Sequence, residues 1–143
     1  MTSMIIHATP IEFVQTTWPL VEKYIVSSLL DGGDINSQNM AYNVHHVLGY
    51  LTSGQWELFV AVEEGEVVGA GTVSYINYPL HRVAFITAVG GRLIATRDNF
   101  NQLSTLLKMR GVTMVQGYGR PSIIRLWKRF NFQPRSTLLE TLI

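Results

Sequence analysis

The sequence predicts a mixed α/β domain. Three observations lead there. Of 143 residues, 47% are hydrophobic and 15% charged, a composition that builds a core and suits a single domain. The hydrophobic pattern changes period along the chain, from helical spacing to strand-like runs and then to an alternation of both. A helix-length segment also separates the apolar stretch 82–91 from the next strand-like stretch, 112–118, as a right-handed parallel crossover requires. The predicted order is β-α-α-α-β-β-β-α-β-α-β.

Each element has its own signal. "IIHAT" is a short first strand. "TPIE" has the form of a capping box, with Thr9 as N-cap, Pro10 at the first helical position and Glu12 reaching back. Pro19 lacks a backbone donor and predicts a break or kink near Trp18. A second helix follows to about Leu30, with Val21, Ile25 and Leu29 on one face, and "DGGD" ends it. Residues 36–52 form a third helix striped by Met40, Val44, Val47, Leu48 and Leu51. His45 and His46 are adjacent, so they point in different directions and lack the spacing that puts two metal ligands on one face.

"WELFVAVE" and "EVVGAGTVSYI" are hairpin strands around the turn "EEGE". Gly69 and Gly71 mark a bulge or a close backbone approach. "RVAFITAVGG" is nearly all apolar and predicts a central strand covered on both faces. A helix then runs to Arg110, capped by Asp98, with Phe100, Leu103, Leu106 and Leu107 inward and Gly111 as its stop. "VTMVQGY" is the next strand. Pro121 opens the last helix, whose inner face is Ile123, Ile124, Trp127 and Phe130. Asn131 stands where the chain turns left-handed, and "STLLETLI" is a closing strand.

Composition excludes some functions. There is no cysteine, so disulfides, thiolate nucleophiles and sulfur-ligated zinc are out. No apolar run is long enough to span a bilayer, and the N-terminus lacks the pattern of a secretory signal. The expected location is therefore a cytoplasm. Charge is polarised. Residues 1–81 hold one Lys against eight acids, whereas residues 82–143 hold ten Lys or Arg against Asp98 and Glu140. This predicts an anionic ligand or partner for the second half, or compensation between the halves. Arg120, Arg125, Lys128, Arg129 and Arg135 cluster at the last helix and the turn after it, but no specific nucleic-acid motif accompanies them.

The element order resembles the GNAT fold of acetyl-coenzyme A dependent N-acetyltransferases, over nearly the whole chain. That family often closes with a helix of the form Asn-x-x-(Ala/Ser)-x-x-x-Tyr-x-Lys-x-Gly-Phe. On "LWKRFNF", Trp127 falls at the Tyr, Arg129 at the Lys, Asn131 at the Gly and Phe132 at the Phe, with Arg120 at the leading Asn. The hairpin "WELFVAVEEGEVVGAGTVS" resembles the family's x-V-A-x-x-x-G-x-I-V-G element. The chain is still more similar to short GNAT-like proteins of tailed bacteriophages. That likeness rests on Trp18–Pro19, "EVVGAGTV", Tyr78–Pro79, Gly90–Gly91–Arg92 and Gly119–Arg120–Pro121. The resemblance implies a GNAT-like mixed central sheet with helices on both faces, and a place in a host cytoplasm or a virion.

It also implies where a cofactor would lie. Pantetheine would pair along Ile86, Thr87, Ala88, Val89 and Gly90, and Arg92, Arg97 and Arg120 would meet its phosphates. The family's pyrophosphate motif, (Arg/Gln)-x-x-Gly-x-(Gly/Ala), is replaced by "GGRLIATRDN". That stretch reads either as a variant phosphate loop or as a bulge before an ordinary helix start, where Asp98 would compete with a phosphate. The acid is changed too. Trp127 stands for the usual Tyr, and an indole N–H does not titrate usefully. Tyr118 is the nearest substitute acid and Glu57 the candidate base; the plainer reading of each is a half-buried strand residue.

Two functions follow. One is a GNAT-like phage protein with degenerate catalysis, acting as a virion-associated or partner-binding component, the partner being a virion or host protein. The other is an active acetyl-CoA-dependent N-acetyltransferase with a divergent loop.

Overall fold

The computed structural model describes residues 4–30, 41–119 and 121–143. The "DGGD" stop, Met40 with the first part of the 36–52 helix, and Arg120 lie outside the described residues. A five-stranded mixed sheet forms the centre, in the order β1 (Met4–Ala8), β2 (Trp56–Glu63), β3 (Glu66–Asn77), β4 (Arg82–Gly91), β5 (Met114–Gly117). The first four strands are antiparallel neighbours, and β5 lies parallel to β4. Helices α1 (Val14–Leu30) and α2 (Val44–Thr52) cover one face, and α3 (Arg97–Lys108) and α4 (Pro121–Lys128) the other.

The sheet therefore separates two cores. Val21, Ile25, Val47 and Leu51 meet Leu58, Val60, Ala70 and Ala88 on the α1–α2 side. On the α3–α4 side, Leu103, Leu107, Trp127 and Phe130 meet Phe59, Ala61, Val73, Ala84 and Ile86. Strand β4 feeds both cores, which is why its sequence is apolar at nearly every position. The hairpin turn places Glu64 and Gly65 at φ 53° and 79°, both in the left-handed region that such tight turns use.

Five local expectations are corrected. Helix α1 runs unbroken through Pro19. Pro19 and Gln15 lie on the exposed side, so the carbonyl that loses its partner faces water, while Val14, Val21 and Ile25 keep the axis on the sheet. Thr9 caps nothing. Its N–H donates to the Leu58 carbonyl, and a 3-10 turn over Ile11–Phe13 follows Pro10 without a side-chain cap.

Helix α2 starts late because the Asn43 side chain accepts from the N–H groups of His45 and His46, while the His46 ring accepts from Asn43 N–H. Finally, Thr96 rather than Asp98 caps α3, and residues 136–143 form no strand, leaving Leu138, Leu139, Leu142 and Ile143 exposed. Asn131 does take the left-handed turn, at φ 70°.

Candidate functional site

Strands β4 and β5 pair only from Val83–Met114 to Ile86–Gly117. Beyond Ile86, β4 continues for five residues with no β5 partner. The direction of its free groups follows from the ladder. Arg92 N–H donates to Val68 O at 2.9 Å, and β3–β4 pairing keeps that register through Thr72–Ala88. In an antiparallel ladder, hydrogen-bonded and non-bonded pairs alternate, so Val89 sits in a non-bonded pair and turns its N–H away from β3. A register shift between Thr72 and Val73 leaves Thr87 unpaired.

These outward groups have partners. Tyr42 donates its hydroxyl to Thr87 O at 2.7 Å, and Val89 N–H donates to Ser28 Oγ at 3.0 Å. Thr87 Oγ1 also lies 2.7 Å from Thr72 Oγ1, in the buried sheet. Gly90 is in direct contact with α1. A Cβ there would stand 2.3 Å from the Tyr24 carbonyl oxygen, so only glycine lets the helix backbone sit on the strand end. Ala88 is buried in the α1–α2 core and Ile86 in the opposite one.

The segment from Gly91 to Thr96 connects β4 to α3. Its two apolar residues, Leu93 and Ile94, are buried. Gly69 accommodates it, since a Cβ there would lie 2.6 Å from both the Arg92 and Leu93 nitrogens. Asn99 pins it from within. That side chain is 1% exposed and donates to Arg92 O at 2.6 Å. Asn99 N–H in turn donates to Thr96 Oγ1 at 3.1 Å, filling one of the open donors of the α3 N-terminus. Arg92 pairs with Glu63 at 3.2 Å. Arg97 donates to the Arg129 carbonyl and lies over the Phe130 ring.

Glu57 and Tyr118 are not brought together. Glu57 pairs across the ladder with Val73 on the α3 side of the sheet. Both its carboxylate oxygens are held by Arg110, at 2.5 and 2.6 Å, and Tyr75 donates to Oε1 at 2.5 Å. Burial first, and then the hydrogen bond to Glu57, push the Tyr75 hydroxyl well above its ordinary range. The hydrogen bond to Glu57 likewise raises Arg110 above the usual guanidinium value.

Tyr118 follows β5, three strand positions away, or about 14 Å at about 4.8 Å per strand. It is 68% exposed and rests edge-on against Phe85. Trp127 is buried beneath β5, where Gly117 makes room for its ring. The Tyr75–Glu57–Arg110 cluster was not legible as a unit in the sequence, because its members are spread over 53 positions. Ser28 and Tyr42 were missed for the same reason.

The two ion pairs among the described residues each join an acid of the first half to an arginine of the second. Part of the charge polarity is thus compensated internally. None of the acids comes within ion-pair distance of Arg125, Lys128, Arg129 or Arg135 among the described residues.

No family model matches the chain, and no curated protein does. Solved structures do match, over nearly the full length. A GCN5-related N-acetyltransferase from Ralstonia eutropha JMP134 superposes with a TM-score of 0.67 at 14% identity, covering 98% of this chain and 99% of that one. An aminoglycoside acetyltransferase from an uncultured soil metagenomic sample gives 0.66 at 16% identity, covering 99% of each. A predicted acetyltransferase from Clostridium acetobutylicum, crystallised with acetyl-CoA, gives 0.65 at 15% identity, covering 98% and 96%. The fold is that of the GNAT acetyltransferases.

Proposed function

We propose that this chain uses the GNAT fold without acetyl transfer and acts by binding a partner, as a virion-associated component of a tailed bacteriophage. The observation that carries the reading is the β4 edge. A pantetheine arm pairing along Thr87 to Val89 needs Thr87 O and Val89 N–H, and Tyr42 and Ser28 hold both. Displacing them would leave a hydroxyl and an α1 side chain to find new partners.

The phosphate end supports the same reading. A pyrophosphate needs several backbone N–H groups turned outward at a helix start. Here buried Leu93 and Ile94 occupy the segment, Thr96 takes the Asn99 donor, and Arg92 and Arg97 are engaged elsewhere. The residues present do not fit acetyl-CoA in the family's manner. Trp127 supplies no proton, and Glu57 is locked in an ion pair. The phage assignment rests on the resemblance of the "Gly-Gly-Arg", "Tyr-Pro" and "Gly-Arg-Pro" segments to short phage GNAT-like proteins.

The second reading, an active N-acetyltransferase with a divergent loop, is favoured by one observation: a neighbour of the same fold carries acetyl-CoA. Titration calorimetry with acetyl-CoA separates the two. The expected result is no binding at about 1 mM; a Kd of tens of micromolar or tighter overturns the proposal. Sedimentation with assembled phage particles, against the free chain as control, tests the virion role. A chain that never travels with particles refutes it.

A further inference from the structure

The positive charge that the two ion pairs leave over is concentrated in one place. Helix α4 turns Trp127 into the core, and Phe130 follows it there. Arg125, Lys128 and Arg129 lie on the opposite arc, at spacings of three and four residues, and all three are exposed. Arg97 joins them from α3. It donates to the Arg129 carbonyl, and its guanidinium lies 5.7 Å from the centre of the Phe130 ring. Arg135 joins from the other side, where it lines one groove with Lys128. Five exposed cations thus form one continuous surface.

Little opposes them. Asp98 is next to Arg97 in sequence, but it accepts a hydrogen bond from Gln102, whose amide also bonds to the β1 backbone at Met4 and Ile6. Its carboxylate therefore sits on the β1 side of α3, away from α4. Glu140, the other acid of residues 82–143, forms no ion pair among the described residues. The negative end of the α4 dipole amounts to about half a charge, which five unit charges outweigh.

The make-up of the surface selects its partner. A protein interface is built around an apolar centre from which Lys is depleted, and the outward arc of α4 holds only Ser122, Arg125, Lys128 and Arg129. A single strand of nucleic acid needs exposed rings on which its bases stack. Here Trp127 and Phe130 are buried, Phe132 is half-buried and Tyr118 rests on Phe85 of the sheet. A DNA duplex needs neither feature. It carries one negative charge per about 1.7 Å of axis, so it presents about seven phosphates along the roughly 12 Å of an eight-residue helix. We infer that this surface binds the phosphate backbone of duplex DNA without reading its sequence, since no sequence-reading motif accompanies the cations.

The inference goes beyond the partner-binding reading and does not depend on it, because DNA affinity and acetyl-CoA titration are separate measurements. Fluorescence anisotropy of a labelled duplex of about 20 base pairs tests it. The expected Kd is about 10 µM or tighter at about 50 mM salt. It should weaken about 100-fold by about 200 mM, from a slope of about −0.9 for each of about four phosphates contacted. The triple variant Arg125→Gln, Lys128→Gln, Arg129→Gln alters exposed side chains and should keep the wild-type melting curve. It should bind about tenfold or more weakly, with a slope shallower by about 2.7. Lys108→Gln, at the far end of α3 from Arg97, should bind within about twofold of wild type. A Kd above about 100 µM at the lower salt, an affinity that salt does not move, a triple variant that binds like wild type, or a Lys108 variant that loses as much as the triple one would each overturn the proposal. So would tighter binding to polyglutamate, which marks an acidic protein partner, or to the single-stranded oligonucleotide.

Discussion

Replacing Glu57 by Gln tests whether this carboxylate is a structural tie or a base. It accepts two hydrogen bonds from Arg110 and one from Tyr75, all between 2.5 and 2.6 Å. The Glu57 side chain is 20% exposed and that of Arg110 29%, so water screens the pair only in part. The amide keeps the shape but removes the charge. It also turns one acceptor into a donor facing a guanidinium that can only donate. One charge-assisted hydrogen bond contributes about 1.5–3 kcal/mol, and leaving a half-buried cation unpaired adds to that, so a loss of about 2–3 kcal/mol is expected. For a chain of this size, that lowers Tm by roughly 5–10 °C. Thermal and urea unfolding followed by circular dichroism measure it. A loss below about 0.5 kcal/mol, the value of an ordinary surface pair, would refute the tie. If E57Q instead left stability intact and abolished a measurable acetyl transfer, Glu57 would be a base after all.

Three further outcomes follow from the same geometry. Tyr75 has a raised pKa in the fold, so the native state holds its proton when the unfolded chain has lost it. Stability should therefore be full below about pH 10 and fall above it, and Tyr75→Phe should flatten that fall in alkaline melts. Gly90→Ala drives a methyl group to 2.3 Å from the Tyr24 carbonyl oxygen, so α1 must shift; a loss of about 2–3 kcal/mol should appear in denaturant titration. Asn99→Asp replaces the donor to Arg92 O by a buried carboxylate, and should cost about 3 kcal/mol at neutral pH, with recovery on acidification as that carboxylate takes up a proton.

Much of this molecule was legible in the sequence because the signals were local. The periods of 82–91 and of the α3 segment, the Glu64–Gly65 turn and the Asn131 bend each depend on a few neighbouring residues. The corrections come where a distant surface overrode a local preference. Pro19 stays helical because the sheet holds Val14, Val21 and Ile25 in line. Thr9 leaves its capping role for the β2 edge. Residues 136–143 have strand composition, but a strand also needs an edge to pair with, and composition does not supply one.

The site divides the same way. By itself, the sequence determined that residue 127 is a tryptophan, where the resemblance would expect a tyrosine, and that residues 90–99 read "GGRLIATRDN" in place of the expected phosphate motif, since both are matters of residue identity. Only the tertiary structure decided that Glu57 belongs to Arg110 and Tyr75, on the α3 side of the sheet and remote from Tyr118. It alone placed Ser28 and Tyr42 on the outward groups of β4. A hydrogen bond spans a few ångströms whatever the distance along the chain, and pairs 45, 53 or 61 residues apart leave no periodicity to read.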